Sequence, residues 1–277
     1  MSGPTLPVLL SFGGALRGDR ERPLATRGWA WTPALLLAIA VPAAAAGGPA
    51  APAILATIVK WTPLIAKGFM LNVAMSFLAM AIGTALGAML GLCQISLLAP
   101  VRGGAWAVTQ FFRNAPWLVL LFYCMLLLPF ELRVGGTVLP LPDWLKATAG
   151  LSLPVMANTS ELVRGAIQSM PLGQWEAAES LAFTRRQTLW TIILPQCVKR
   201  MLPPWMNLYA ILTVATPLCS IVGVNEAMTL TGDALASEAR HELLVPMYLY
   251  LLGWFFVYCY PIARWTVRLE RRYAVRG

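Results

Sequence analysis

One charged stretch is unusual in this sequence because of the residues that it combines and their spacing. Residues 173–182 read Gly-Gln-Trp-Glu-Ala-Ala-Glu-Ser-Leu-Ala, and Ile192, Leu194 and Pro195 follow at a fixed interval. Side chains three and four positions apart share one face of a helix. That face would consist of Ala177, Ala178, Leu181 and Ala182. A small apolar face of this kind can dock into a groove on another protein, so the stretch predicts a protein contact.

The charges and breakers around this face predict where its helix begins. Pro171 and Gly173 interrupt the preceding helix and permit a sharp turn. Glu176 and Glu179 are then expected near the start of the new helix, where its dipole favours carboxylates. An ordinary solvated loop helix would also satisfy this short pattern, and that alternative stays open on these residues alone.

Two pairs of polar residues lie inside otherwise apolar segments. Glu161 and Arg164 are three positions apart, so on a helix they can form an ion pair. Thr216 and Ser220 flank Pro217, where their hydroxyls can bond the carbonyls that a proline leaves unpaired. Each pair is either structural or part of a translocation path or gate, and the spacing does not choose.

Other kinds of chemistry have little support. The five cysteines are dispersed, no two of them are spaced Cys-x-x-Cys, and His241 is the only histidine. A metal cluster or a disulfide framework is therefore not expected. No Gly-x-x-x-x-Gly-Lys-Ser/Thr loop is present, so this chain is not expected to hydrolyse ATP or to bind a cofactor.

The composition predicts that these residues are carried by membrane helices. Of the 277 residues, 58% are apolar and 12% are charged, whereas soluble domains carry roughly 25% charged residues. The apolar residues fall in blocks, several of which reach the roughly 20 residues that cross a bilayer. We expect an all-α, polytopic transmembrane helical bundle with about six spans. They are placed near residues 29–41, 69–95, 116–130, 147–168, 205–222 and 243–263. Residues 131–146 and 225–242 are expected to be external loops, and the fifth span is expected to begin after Pro203 and Pro204.

The distribution of positive charge predicts the topology. The net charge is +9, and with six spans all the basic clusters fall on one side of the membrane. Lys/Arg excess marks the cytoplasmic side, so both termini and the charged loop (residues 171–195) are expected there. Anionic lipid headgroups are the expected partner of this charge, and nucleic acid is not.

The sequence divides into three regions. Residues 1–27 are expected to form a cytoplasmic tail, and residues 28–65 an extra N-terminal span and an external linker, with 54–67 at the interface. Residues 66–277 form the transmembrane domain. A signal peptide cleaved near residue 47 is the alternative for the first apolar segment. Within the domain, Gly83, Gly87 and Gly91 recur every four residues, which lets two helices approach closely.

The charged loop resembles the EAA loop of the membrane-spanning subunits of bacterial ABC importers. In that family Glu-Ala-Ala is followed by three residues, Gly, nine residues, Ile, one residue and Leu-Pro. Every fixed position is met here except the Gly, which is Ala182. Further segments are similar to the polar amino-acid branch (histidine, glutamate, glutamine and arginine permeases), and the resemblance covers roughly residues 66–277. These segments lie at 112–116, 161–171, 193–196, 202–204, 221–224 and 269–273.

The resemblance implies a type I importer permease fold, with five core spans plus the N-terminal one. It implies alternating access for polar amino acids across a bacterial inner membrane. The partners would be a cytoplasmic ATPase dimer that binds ATP and Mg²⁺, a second permease subunit (identical or related) and an external solute-binding protein. The residues implied to couple to the ATPase are Gly173, Glu176, Ala177, Ala178, Leu181, Ala182, Ile192, Leu194 and Pro195.

Two departures from the family pattern limit what can be carried over. Because Gly normally lets the chain turn after the docking helix, Ala182 is expected to leave this helix longer or differently angled. Residues 214–218 read Val-Ala-Thr-Pro-Leu where the branch usually has Lys-Asp-Thr-Ser-Leu, so an intramembrane ion pair is missing. The pathway or gate can therefore differ, and a permease for another small polar solute remains open.

Two other classes of protein compete with this interpretation. A secondary transporter driven by an ion gradient usually carries ionisable residues deep inside its spans. Only Glu161 and Arg164 qualify here, and they lie toward one end of their span. A membrane enzyme would need a clustered His, Cys or Asp constellation, and the sequence has none.

Overall fold

The computed structural model describes residues 51–134 and 137–273. The predicted tail, the first apolar segment and the alternative cleavage position near residue 47 lie outside the described residues. The helices are α1 (Ala51–Gln94), α2 (Ala99–Asn114), α3 (Trp117–Leu127), α4 (Asp143–Gln168), α5 (Leu172–Ser180), α6 (Arg185–Gln187), α7 (Leu194–Ala215), α8 (Ala227–Glu238) and α9 (Leu244–Tyr273). A π-helix (Thr188–Ile193) precedes α7, and 3-10 turns cover Thr216–Ser220 and His241–Leu243.

Helix α1 is continuous through the segment that the sequence assigns to an interfacial linker. The predicted boundary near residue 65 is therefore not a break in the helix, even though Pro63 lies inside it. Ile54, Ile58 and Ile65 are buried in a cluster with residues of α8 and α9, and this packing holds the segment helical. Helix packing therefore keeps this segment helical across Pro63, and the division of the chain at residue 65 stays a prediction.

The outer part of α1 is also held to α8 by polar contacts. Lys60 Nζ and Trp61 Nε1 both donate to Glu238 Oε1, at 2.6 and 2.9 Å. These hydrogen bonds hold the pKa of the Glu238 carboxyl below its usual value. Lys60 and Trp61 therefore form a helix–helix contact within the segment that the sequence places at the interface.

The glycine stripe of α1 is the seam against α4, as its spacing predicts. A Cβ atom on any of the three glycines would overlap α4. The added Cβ would lie 2.5 Å from Val155 Cγ1 at Gly83, 2.5 Å from Met156 O at Gly87 and 2.7 Å from Val163 Cβ at Gly91. Because only hydrogen fits at these positions, the two helices pack with their backbones in near contact.

The described residues contain two helices long and apolar enough to cross a membrane on their own, in the regions Pro52–Gln94 and His241–Arg272. Helices α2 and α3 are bent by 106° and would form a third span if counted as one. The predicted third span is therefore shorter than expected, with 11 residues in α3. A total of six spans stays a prediction.

Helices α4 and α7 are long enough to cross a membrane but are not among the helices that are also apolar enough. They contain 26 and 22 residues, enough for roughly 30 Å of hydrocarbon. Much of α4 is buried by neighbouring helices, including the fully buried Leu151, Val155 and Ala157. A helix enclosed by protein can carry polar residues that a lipid-facing helix cannot.

The prediction of a loop at residues 131–146 is partly wrong. Strand β1 (Glu131–Val134) pairs antiparallel with β2 (Thr137–Pro140), and α4 then begins at Asp143. Lys146 is fully buried in its first turn, with Nζ 3.1 Å from Asp143 Oδ1 and 3.6 Å from the centre of the Phe130 ring. This ion pair and cation–π contact make burial of the ammonium possible. Outside this hairpin the described elements are helical.

The sequence also misplaces two boundaries near the second half of the bundle. Helix α7 begins at Leu194 and continues through Pro203 and Pro204, where the sequence predicts a break before the fifth span. The segment predicted as an external loop at 225–242 folds largely as α8. It becomes a helix because one face of it, including Ala227, Thr231 and Ala234, is buried against the bundle.

Candidate functional site

The docking helix predicted in the charged loop is α5, but it begins earlier than the sequence suggests. Its N-cap is Pro171 in extended conformation, and Gly173 lies within the first turn. The helix has no acidic residue in that turn. Glu179 is one residue from the C-terminal end, where the dipole disfavours a carboxylate. The predicted placement of both glutamates near the helix start is therefore wrong.

The exposed surface of α5 also differs from the predicted face at one position. Glu176, Ala177 and Glu179 are exposed, and so is Leu181 beyond the helix end, at 72% of its surface. Ala178 is only 1% exposed, so it does not belong to the free surface. Helix α5 is short, and Ala178 is buried because it faces the part of the charged loop that folds back beneath the helix. The exposed patch therefore combines small, apolar and acidic groups.

The turn after α5 is tight although alanine stands where the family has glycine. Ala182 adopts a left-handed conformation with φ +58°. Its N–H donates to Glu179 O at 2.9 Å, and the Phe183 N–H donates to Ala178 O at 3.0 Å. This is the Schellman pattern that ends many helices, usually with Gly at the left-handed position. The expectation of a longer helix is wrong, since α5 ends at Ser180.

The returning half of the charged loop begins with its own cap. Thr184 Oγ1 accepts from Gln187 N while Gln187 Oε1 accepts from Thr184 N, a reciprocal capping box. The π-helix Thr188–Ile193 then runs directly into α7. The π-helical turn places Ile193 in the core with no exposed surface. Pro195 follows in the first turn of α7, where its missing N–H is not needed.

Apolar packing and hydrogen bonds fix the charged loop to the ends of two helices. Ile192 and Leu194, both predicted coupling residues, pack on a cluster that contains Val163 and Ile167 of α4. Arg185 Nη2 donates to Ile95 O at 3.3 Å, just beyond the end of α1. In α7, just after the loop, Arg200 Nη1 donates to Ser169 O at 3.0 Å, beyond the end of α4. A displacement of the loop therefore acts directly on both helix ends.

Glu161 and Arg164 form an ion pair, as their spacing predicts. Arg164 Nη2 lies 2.6 Å from Glu161 Oε2, and Arg164 Nε also donates to Oε1 at 3.3 Å. Arg113 of α2 approaches the same carboxylate at 3.7 Å. Arg164 Nη1 also donates to Gln168 Oε1 at 2.7 Å. These contacts give both residues structural partners, and a role in the pathway stays a prediction.

The hydroxyls beside Pro217 bond nearby carbonyls, as predicted. Thr216 Oγ1 donates to Thr213 O at 2.8 Å, and Ser220 Oγ donates to Pro217 O at 2.7 Å. Thr216 Oγ1 also accepts a hydrogen bond from Asn72 Nδ2 of α1 at 3.0 Å. The turn follows Val214 and Ala215, which stand where the family usually has a charged pair. It is thus held by hydrogen bonds between neutral groups.

Two buried residues of this region were not found from the sequence. Asn72 and Glu226 have no exposed surface, and Glu226 accepts hydrogen bonds from the N–H groups of Met228 and Thr229. Glu226 is therefore the N-cap of α8. A lone amide inside an apolar span is the signal that would have pointed to Asn72. Within the described residues, no hydrogen bond or ion pair joins this cluster to Glu161 or Arg164.

Comparison with known families decides the class of the protein. Residues 83–274 match the family of inner membrane components of binding-protein-dependent transport systems. The chain belongs to this family. The match begins in the glycine seam of α1 and includes the charged loop and α7 to α9. As a family member, the chain is a multi-pass component of the inner membrane, and it is a transport component rather than a catalyst.

Relatives and solved structures agree with this membership of the transport family. The chain is 32% identical over 212 residues to the probable amino-acid ABC transporter permease YckA of Bacillus subtilis (strain 168), covering 76% of this chain and 90% of YckA. The structure of an amino acid ABC transporter with histidines aligns with a TM-score of 0.67 and 25% identity, covering 77% of this chain and 96% of that one. The inward-facing MetNI methionine ABC transporter aligns with a TM-score of 0.60 over 77% and 98%, and at 16% identity it supports the fold alone. The chain thus has the ABC importer permease fold that its motif implied.

Proposed function

We propose that this chain is the permease subunit of an ATP-driven importer of polar amino acids, with its charged loop as the point where force enters. The observation that carries this proposal is the geometry of that loop. Helix α5 exposes Glu176 and Ala177, and the next residue after it, Leu181, is exposed too. Arg185 ties the same loop to the end of α1, and Ile192 and Leu194 pack on the end of α4. A partner that moves α5 would therefore move the bundle.

The partner that fits this loop is an ATPase dimer, which would bind ATP and Mg²⁺ in place of this chain. The mechanism would be alternating access: closure of the ATPases brings two docking helices together and opens the bundle outward. Two copies of the loop are needed for this, so a second permease subunit, identical or related, completes the pathway. An external solute-binding protein would deliver the substrate.

The orientation of the chain in the membrane follows from the distribution of its basic residues. Arg185, Arg186, Lys199 and Arg200 lie in or next to the charged loop, and Arg268, Arg271 and Arg272 lie at the end of α9. Lys/Arg excess of this kind is typical of the cytoplasmic side. We therefore place the charged loop and both termini in the cytoplasm. Residues 1–27 as a tail and 28–65 as an additional span and linker stay predictions.

The substrate class is proposed from relatives that are named as amino-acid ABC transporter permeases, such as YckA, and from the solved amino acid ABC transporter with histidines. The candidate gate is the 3-10 turn Thr216–Ser220, which Asn72 connects to α1. Its hydrogen bonds are neutral, so it can open without separating charges across the membrane. Glu161 and Arg164 are a second candidate on the path, nearer the charged loop.

The experiment that tests the docking role compares two charge reversals. Glu176→Lys changes the exposed surface of α5, whereas Glu270→Lys changes an equally exposed carboxylate on α9. The complex is purified through the ATPase, and amino-acid uptake is measured in vesicles with ATP inside and the binding protein outside. We expect Glu176→Lys to lose at least about tenfold in recovered permease and in uptake, since a new charge in a packed interface costs more than 1.4 kcal/mol.

Glu270→Lys should leave recovery and uptake unchanged, and both variants should insert to wild-type amounts. Normal recovery and uptake with Glu176→Lys would contradict the docking role. Uptake that survives ATP depletion but stops with an ionophore would instead identify an ion-gradient transporter. A competition series with other small polar solutes tests the substrate class separately.

A further inference from the structure

A cavity of about 360 Å³ lies between the end of α1 and the charged loop. Its polar wall contains Gln94, Arg102 and Arg185, which come from α1, α2 and α6. Its apolar wall includes Ile167, Trp175 and Leu189. Its volume falls within the range of small-molecule sites, roughly 300–1,000 Å³. The docking role of α5 assigns no function to this cavity.

The two arginines of the cavity are both held by backbone carbonyls. Arg185 Nη2 donates to Ile95 O and Arg102 Nη1 donates to Ser96 O, each at 3.3 Å. These carbonyls belong to consecutive residues, and both arginines line the same cavity. Each guanidinium has five N–H donors, so most of them remain available to a ligand.

The positive charge of this pair is not neutralised by the protein. Among the described residues, neither Arg102 nor Arg185 has a carboxylate within ion-pair distance. The cavity wall also contains no acidic residue. The end of α1 contributes only about half a negative charge through its dipole. An anion is therefore the group that this corner of the cavity would bind.

A further polar residue of the wall fixes the end of α1 in place. Gln94 is only 4% exposed, and its Nε2 donates to Thr109 Oγ1 at 3.0 Å and to Ser160 Oγ at 2.6 Å. These hydrogen bonds join the end of α1 to α2 and α4, next to the two carbonyls that hold the arginines.

The surroundings of the cavity place it at the lipid headgroups. Helix α2, which carries Arg102, exposes Trp106 at 55% and Phe111 at 66% of their surfaces. Exposed aromatic residues next to basic ones are typical of the membrane interface. The apolar wall formed by Ile167 and Leu189 gives the first carbons of an acyl-bearing molecule a surface to contact.

We propose that this cavity binds the headgroup of an anionic phospholipid such as phosphatidylglycerol. The phosphate lies between Arg102 and Arg185. Because Trp175 and Arg185 belong to the charged loop and Gln94 to α1, the bound headgroup braces the loop against the bundle. This site does not depend on which solute the protein carries.

The test counts phosphatidylglycerol molecules retained by the full chain after release from mixed phosphatidylglycerol and phosphatidylcholine nanodiscs, by native mass spectrometry. The variants are the Arg102→Gln/Arg185→Gln double substitution and its matched control Arg186→Gln, an exposed neighbour outside the cavity wall. Wild type and Arg186→Gln should retain one phosphatidylglycerol with preference over phosphatidylcholine. The double variant should bind it at least about tenfold more weakly, because both sources of charge-assisted hydrogen bonds to the phosphate are lost.

The Arg102→Lys/Arg185→Lys variant guards against a folding defect, since it keeps the charge and should keep most of the retained lipid. Equal retention by wild type and the glutamine double variant would overturn the site. Equal loss in Arg186→Gln would overturn it too, because the effect would then be general surface charge. Full displacement of the lipid by millimolar glycerol phosphate would show that a soluble phosphate is the occupant and would overturn the lipid assignment. None of these results depends on uptake, so they are separable from a failure of the proposed transport function.

Discussion

Asn72 Nδ2 and Glu226 Oε2 lie 2.7 Å apart, although the two residues are separated by 154 positions in the sequence. Asn72 Oδ1 also accepts the Ala227 N–H at 3.1 Å, and its Nδ2 donates to Thr216 Oγ1 as well. One buried amide therefore joins α1, the 3-10 turn beside Pro217 and the start of α8. The candidate gate cannot move without changing at least one of these hydrogen bonds.

Removing the carboxylate of Glu226 should destabilise the bundle more than its size suggests. Glu226→Ala deletes the N-cap of α8 and leaves the buried Asn72 amide short of an acceptor. We expect the free energy of unfolding to fall by about 3 kcal/mol, from roughly 1 for the cap and 1–3 for the unsatisfied amide. Equilibrium unfolding in mixed micelles measures this loss. Glu242→Ala, which removes an exposed carboxylate of the same region, should change it by less than about 0.5 kcal/mol. Equal losses in the two variants would rule out the buried cap as the cause.

A methyl group in the glycine seam should separate α1 from α4. In Gly87→Ala the new Cβ would lie 2.5 Å from Met156 O and 2.7 Å from Thr159 Cβ, so one helix must shift. We expect a loss of about 1–3 kcal/mol in the same unfolding measurement. Gly165→Ala on α4, where nothing lies within 4 Å, should instead gain up to about 1 kcal/mol from helix propensity. A gain in both variants would mean that the seam is not close-packed.

Restoring the family's glycine at the end of α5 should stabilise the charged loop. Ala182 has φ +58°, a conformation that costs a non-glycine residue roughly 1–2 kcal/mol. Ala182→Gly is therefore expected to raise stability by about 1 kcal/mol. Ala177→Gly, five positions earlier and inside the helix, should lower it by a similar amount. Hydrogen exchange of the loop amides distinguishes the two signs, and protection lost in both variants would exclude strain at Ala182.

A double-mutant cycle of unfolding free energies should detect the Glu161–Arg164 ion pair and show that it is stronger than the contact of Glu161 with Arg113. The cycle of Glu161→Gln with Arg164→Gln should give a coupling of about 1 kcal/mol, because the contact is bidentate and partly buried. The cycle of Glu161→Gln with Arg113→Gln should stay below about 0.5 kcal/mol, since Arg113 is 47% exposed and 3.7 Å away. Additive effects at Glu161 and Arg164 would contradict the pairing.

The sequence predicted features that depend on local spacing better than those that depend on distant packing. Gly83, Gly87 and Gly91 predicted the seam, and Glu161 with Arg164 predicted an ion pair, because each needs only one helix period. Glu176 and Glu179 were placed near the start of α5, whereas they lie in its middle and near its end, since the start of a helix depends on where the previous one stops. The hydrogen bond between Asn72 and Glu226 joins residues 154 positions apart, which no local pattern contains.

The continuity of α1 has a mechanical consequence. With 44 residues, the helix is about 66 Å long, roughly twice the thickness of the hydrocarbon core. One end is held to α8 through Lys60 and Trp61, and Arg185 of the charged loop holds the residue that follows the other end. A continuous helix held near both ends can carry a displacement from one side of the membrane to the other as a change of angle. Any bend within it is expected at Pro63, which lacks the N–H of a helical hydrogen bond.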